Sequence, residues 1–154
     1  VGEAVMAADR LLETAKAQAD AQVSERNARE KAELMRQLGM EEGESATKAS
    51  RTMIRQLEED QKRRSKRALT DAIDRALIDL LAIYRDVLMV QVGGDGELIN
   101  TDLSDLVHEI AQDSTPRQTL ARVDHIETAR KRLVSNGNAL LVLEDMAISL
   151  RPQA

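Results

Sequence analysis

The stretch Arg67 to Val92, RALTDAIDRALIDLLAIYRDVLMVQV, limits the possible folds most severely, because its apolar residues leave almost no side free for water. Leu69, Ile73, Leu77, Leu80, Tyr84, Val87 and Leu88 fall at helical spacing, and Ala72, Ala76, Leu81, Ile83 and Val90 widen the stripe. Arg75, Asp79 and Asp86 recur at about helical intervals, with Ala82 between them, and mark a narrow polar strip for solvent. Asp79, Arg85 and Asp86 interrupt the run well before the roughly 20 apolar residues that a bilayer requires. The stretch therefore reads as the central helix of a soluble bundle.

A bundle is also what the remaining residues favour. The 154-residue chain has no Trp, no Phe and one Tyr, so Leu, Ala, Val, Ile and Met must fill the core. Charged residues make up 32% and Pro occurs twice, which favours helices over sandwiches, barrels or disordered tails. The expected fold is all-α, about five helices with a long N-terminal helical arm. A net charge of -5 gives no global attraction to nucleic acid or to an anionic membrane. The lack of Cys removes disulfide frameworks, cysteine nucleophiles and the common zinc sites. The chain opens on Val1 inside a helical pattern without a signal-peptide layout, as expected of a piece cut from a longer, cytoplasmic protein.

From Ala4 to Leu38 the weak series Val5, Ala8, Leu12, Ala15, Ala19, Val23 predicts a long, thin, Ala-rich helix. Beyond Val23 the seam is expected to dwindle to Ala28, Ala32, Met35 and Leu38, with charge pairs around Arg29, Glu30 and Glu33. Periodicity alone allows this arm to fold back on the second helix or to extend alone. Gly39 and Gly43 predict a helix stop and a joint near 39–44. A second helix is expected from Ser45 to Thr47 onward, running into the central one. Residues 1–66 thus form an arm and connecting helix, and 67–154 the bundle.

Glu58, Glu59 and Asp60 stand four residues before Lys62, Arg63 and Arg64, predicting solvated helical ion pairs of about 0.3 to 0.5 kcal/mol each. The alternative is that Lys62, Arg63, Arg64, Lys66 and Arg67 touch DNA phosphates or an acidic partner. No aromatic residue lies nearby to stack on a base.

Gly93, Gly94 and Gly96 predict a tight reversal rather than a calcium or phosphate loop. Asn100 or Thr101 is expected to cap a third helix with Leu103, Leu106, Val107 and Ile110 facing inward. Thr115, Pro116 and Gln118 form a capping-box signature for a fourth, whose seam is expected at Leu120, Val123, Ile126, Arg130 and Leu133. Asn136 and Gly137 stop it, Asn138 caps Ala139 to Leu150, and Pro152 ends the last helix.

No chemistry emerges from these patterns. His108 and His125 lie on different predicted helices without a ligand partner at helical spacing, and the carboxylates fall on exposed faces. No catalytic, cofactor-binding or metal-binding residue is predicted. Surplus apolar surface at Ile83, Leu88, Val90, Leu141 and Ile148 instead predicts association with a further protein. Periodicity takes the chain as far as a helical interaction module, with a self-associating scaffold built on Ala4 to Leu38 as another outcome.

Certain residues carry more than their periods. Tyr84, Arg85 and Asp86, then Leu98, Ile99 and Asn100 with Asp102, and finally Asn136 to Glu144 resemble the C-terminal collar domains of bacterial DNA polymerase III clamp-loader delta-prime subunits. The resemblance covers roughly Arg67 to Arg151, while Val1 to Lys66 is similar to the extended helical connection of actinobacterial versions. The family's Asn-x-Asn-Pro-x-Leu-x-Leu-Glu has Ala139 here in place of Pro, which weakens only the first-turn preference. The resemblance implies a collar segment that holds a pentameric loader together with tau/gamma and delta subunits. ATP would be handled elsewhere, and DNA met only indirectly or weakly. Tyr84, Arg85, Asp86, Leu88, Asn138, Leu141, Glu144 and Ile148 are the residues expected to meet sister subunits.

Overall fold

A computed structural model describes residues 2–39 and 47–151. Among these residues five α-helices follow one another: α1 (Gly2–Gln37), α2 (Lys48–Gln91), α3 (Ser104–Gln112), α4 (Pro116–Val134) and α5 (Ala139–Ser149). A 3-10 turn, Thr101–Leu103, precedes α3, and no strand occurs among the described residues. The expected all-α class is what the chain adopts. It divides into two compact units, Val1–Glu13 with Ile73–Ala154, and Thr14–Ala72.

In the unit of residues 14–72 the two long helices run antiparallel, with the arm folded back. Ala19 and Val23 pack on Ala68, with Leu69 alongside. Small side chains let the backbones approach closely, which explains how an Ala-rich seam holds a helix pair. Further along, the contacts turn polar. Arg64 donates to Asn27 Oδ1 at 2.7 Å and to both Glu30 oxygens at 2.8 and 3.1 Å, and Gln61 donates to the Asn27 carbonyl at 2.9 Å. The seam expected at Ala28 and Ala32 is corrected here: both are exposed, and Asn27, Glu30 and Leu34 take the half-buried face. The expected 58–62, 59–63 and 60–64 ion pairs are also replaced. Glu58 pairs with Lys31, Glu59 with Arg55, Asp60 with Arg63, and Arg64 crosses to Glu30. Two of these, Glu58 with Lys31 and Arg64 with Glu30, cross to α1, while Glu59 and Asp60 choose other partners along α2, as weak exposed pairs of similar energy can do.

Thr47 accepts from the Ser50 N–H at 3.2 Å and starts α2, which continues unbroken to Gln91. Gly39 ends α1 with φ +63, while the rest of the expected joint, residues 40–46 with Gly43, lies outside the described residues, as does Pro152.

The other unit is centred on Ile73, Leu77, Val87, Val107, Ile126 and Leu143, all almost completely buried, joined from α1 by Ala4, Ala8 and Leu12. α4 begins with the expected capping box, Thr115 Oγ1 accepting from the Gln118 N–H while Gln118 Oε1 accepts from the Thr115 N–H. Asn136 takes φ 63, and Gly137 N–H reaches back to the Arg132 carbonyl at 2.8 Å. A Cβ on Gly137 would stand 2.8 Å from that oxygen, so only glycine fits without movement. Asn138 then caps α5 through the Leu141 N–H. On α4 the expected Ile126 and Leu133 are buried, but the inward faces of α3 and α4 otherwise need correction: Leu106 and Leu120 are exposed, and α4 buries Thr119, Arg122 and Ala129 as well. Arg130 is no apolar seam member. Its guanidinium grips Asp74 of α2 through both oxygens, at 2.7 and 3.2 Å, and also Glu127 at 3.0 Å. The hydrogen bonds to Asp74 hold the Arg130 pKa above its ordinary value.

Candidate subunit-association surface

Two of the three stretches that carried the family resemblance meet at one place. Gly93, with φ +67, reverses the chain after α2, and the Gly94 N–H bonds the Met89 carbonyl at 3.0 Å. The returning segment comes alongside the last turns of α2, where Asp86 is waiting. Asp86 Oδ1 accepts from the Ile99 N–H at 3.1 Å, and Oδ2 accepts from the Asn100 N–H at 2.8 Å and the Asn100 amide at 2.9 Å. Arg85 donates to Asp86 Oδ1 at 2.7 Å and to the Glu97 carbonyl at 3.1 Å. Burial alone would raise the Asp86 pKa, but the Asn100 and Ile99 N–H groups, the Asn100 amide and Arg85 together bring it to about 2.

Asp86 is therefore corrected from a solvent strip residue to a fully buried charge. It links the Tyr84-Arg85-Asp86 motif to the Leu98-Ile99-Asn100 motif. It also explains the start of α3: with its side chain engaged by Asp86, Asn100 caps nothing, and the 3-10 turn has no side-chain cap.

Gln91, one turn further, performs a similar task on the α3–α4 junction. Its amide donates to the Ser114 carbonyl at 2.7 Å and Ser114 Oγ at 3.1 Å, and its oxygen accepts from Thr119 Oγ1 at 2.9 Å. Neither Gln91 nor Thr119 stood out in the sequence. A signal existed, since Thr119 and Arg122 continue the Ile126, Ala129, Leu133 seam backward at helical spacing.

The predicted contact residues separate into buried and exposed. Tyr84 and Asp86 lie inside the bundle, Leu88 and Glu144 are half-buried, and Arg85, Asn138, Leu141 and Ile148 are exposed. Leu141 and Ile148 are seven residues apart on α5 and so share its outer face, 62% and 41% exposed. Ile83 and Val90, expected as surplus surface, are half-buried. Additional large apolar side chains are exposed on this unit, among them Ile99, Leu106, Leu120 and Val134.

In the basic stretch, Lys62, Arg63, Lys66 and Arg67 are exposed, with Arg63 held by Asp60, while Arg64 is half-buried against Glu30 and Asn27. That pairing removes Arg64 from the set available to a phosphate. Among the described residues no group of three or more His, Cys, Asp or Glu could hold a metal ion, and no helix is long and apolar enough to cross a membrane.

Comparison with known proteins follows the same lines. The family model described as DNA polymerase III, delta subunit, C terminal, matches residues 30–151. The DNA polymerase III subunit delta′ of Bacillus subtilis (strain 168) is 36% identical over 72 residues, which is 47% of this chain and 22% of that protein. No solved structure matches the chain.

Proposed function

The chain belongs to the family formed by the C-terminal regions of DNA polymerase III delta subunits, and from that premise we propose that it is a non-catalytic collar segment that associates with other clamp-loader subunits. The partners proposed are tau/gamma and delta, with DNA met only indirectly or weakly. The observation that carries this is the row of apolar side chains left uncovered on the 73–151 bundle, Leu141 and Ile148 of α5 foremost. A small bundle that buries Asp86 and fills its core, yet leaves such residues in water, has surface suited to another protein. Asn138 and Glu144, on the same helix at its cap and between Leu141 and Ile148, supply polar neighbours for that face.

Size-exclusion chromatography with separately purified tau/gamma and delta subunits tests the assignment. Co-elution is expected, and Leu141→Glu with Ile148→Glu should abolish it without changing the helical circular dichroism spectrum. If the chain elutes alone under conditions in which a full-length delta′ co-elutes, the assembly role is wrong. Binding to primed DNA that weakens steeply with salt and vanishes with Arg63→Gln and Arg67→Gln would favour a nucleic-acid module instead.

A further inference from the structure

Tyr84 and Arg122 are each 8% exposed, and among the described residues neither polar head has a hydrogen-bond or ion-pair partner. Both line a cleft of about 250 Å³ with Leu106, Glu109, Ile110, Asp113 and Leu150. No side-chain nitrogen or oxygen among the described residues is both sealed from solvent and unbonded. The phenol oxygen and the guanidinium therefore keep contact with solvent, and both residues line this cleft, Arg122 bordering a second cavity with Gln118 and His125 as well. Burial raises the Tyr84 pKa while the nearby Arg122 charge lowers it, and the net result is upward, so the hydroxyl keeps its proton at neutral pH.

The floor of the cleft thus presents a cation and a neutral O–H, two donors with no acceptor of their own. Most buried arginines are paired, because an unpaired buried charge is costly. Leu106 and Ile110 stand four residues apart on α3 and, with Leu150, form an apolar wall, while the exposed Glu109 and Asp113 stand at the rim. Rim carboxylates repel a small free anion. They favour an anionic group that arrives with a basic neighbour.

We propose that this cleft seats a carboxylate side chain carried on an apolar helical segment of another loader protein, with Arg122 and the Tyr84 hydroxyl donating to its oxygens. Leu106, Ile110 and Leu150 cover the segment's aliphatic surface, and Glu109 and Asp113 meet a Lys or Arg beside the carboxylate. The site rests on the subunit-association function proposed above.

The test compares the full chain with Arg122→Met, which keeps the aliphatic stem, and Tyr84→Phe, which removes only the hydroxyl. Affinity for the co-eluting loader subunits is measured by titration calorimetry at low and high salt, and each variant is melted alone. Neither head has an internal bond to lose, so both variants should melt within a few degrees of wild type. Arg122→Met should weaken association roughly 10- to 100-fold and flatten its salt dependence, and Tyr84→Phe roughly 5- to 10-fold. Wild type that associates, with both variants binding as tightly, overturns the carboxylate site and leaves the association function standing. Wild type that binds none of the loader subunits overturns both. An isolated Arg122→Met that melts far below wild type assigns the guanidinium to the fold and also overturns the site.

Discussion

Replacing Asp86 with Asn removes one carboxylate oxygen and puts an NH2 group where two donors point. If the amide oxygen takes the Oδ2 position, the Ile99 N–H and Arg85 lose their acceptor; if it takes Oδ1, the Asn100 N–H and the Asn100 amide lose theirs. Arg85 and the Asn100 side chain can turn toward water, but one backbone N–H is stranded either way. A stranded buried donor costs about 1–3 kcal/mol and a lost bond to a charged group about 1.5–3 kcal/mol, so Asp86→Asn should destabilise by about 3 kcal/mol. The acid titration supplies a second figure. Asp86 is held at about 2 against an ordinary 3.8, a difference that corresponds to about 2 kcal/mol at neutral pH. Because the folded pKa is the lower one, this stabilisation is present above about pH 4 and is lost as pH falls toward 2. Urea unfolding followed by the fluorescence of Tyr84, the only aromatic residue, reports the bundle selectively. Wild type should exceed Asp86→Asn by about 3 kcal/mol near neutral pH, with the gap narrowing below about pH 4. A gap below about 1 kcal/mol near neutral pH, or one that stays constant into acid, would refute the buried-charge account.

Gly137→Ala forces a Cβ to 2.8 Å from the Arg132 carbonyl and 3.0 Å from the Val142 side chain. It should cost about 1–2 kcal/mol and lower the melting temperature by several degrees, whereas an unchanged Tm would mean that the α4–α5 turn relaxes freely. Arg64→Leu removes the bonds to Asn27 and Glu30 and should speed amide exchange across 19–34, measured by hydrogen exchange; unchanged protection would show the Ala19-Val23-Ala68 seam to be sufficient. Hydrogen bonds from Arg64 and then Arg26 lower the Glu30 pKa to about 2, so the wild-type advantage should persist down to about pH 4 and fade toward pH 2.

Sequence by itself determined the helices, most of their ends and the family, the start of α3 being the exception. Capping is chemistry between residues three or four apart, so Thr115 with Gln118, Asn138 and Gly137 could be read directly. The apolar series of α1 was nearly as plain, since Ala8, Leu12, Ala15, Ala19 and Val23 are buried, with Ala4 rather than the half-buried Val5 at its start. Only the tertiary structure decided which polar residues turn inward. Asp86 finds its acceptor role through residues 13 and 14 positions away, Arg64 reaches 34 and 37 positions back, and Arg130 reaches Asp74 across 56. Local spacing identifies a charge on a helix but not the donors that another segment will bring to it. For the same reason Thr119 and Arg122 displaced Leu120 from the α4 interior: a polar side chain is admitted where a distant partner such as Gln91, or an open cleft, satisfies it.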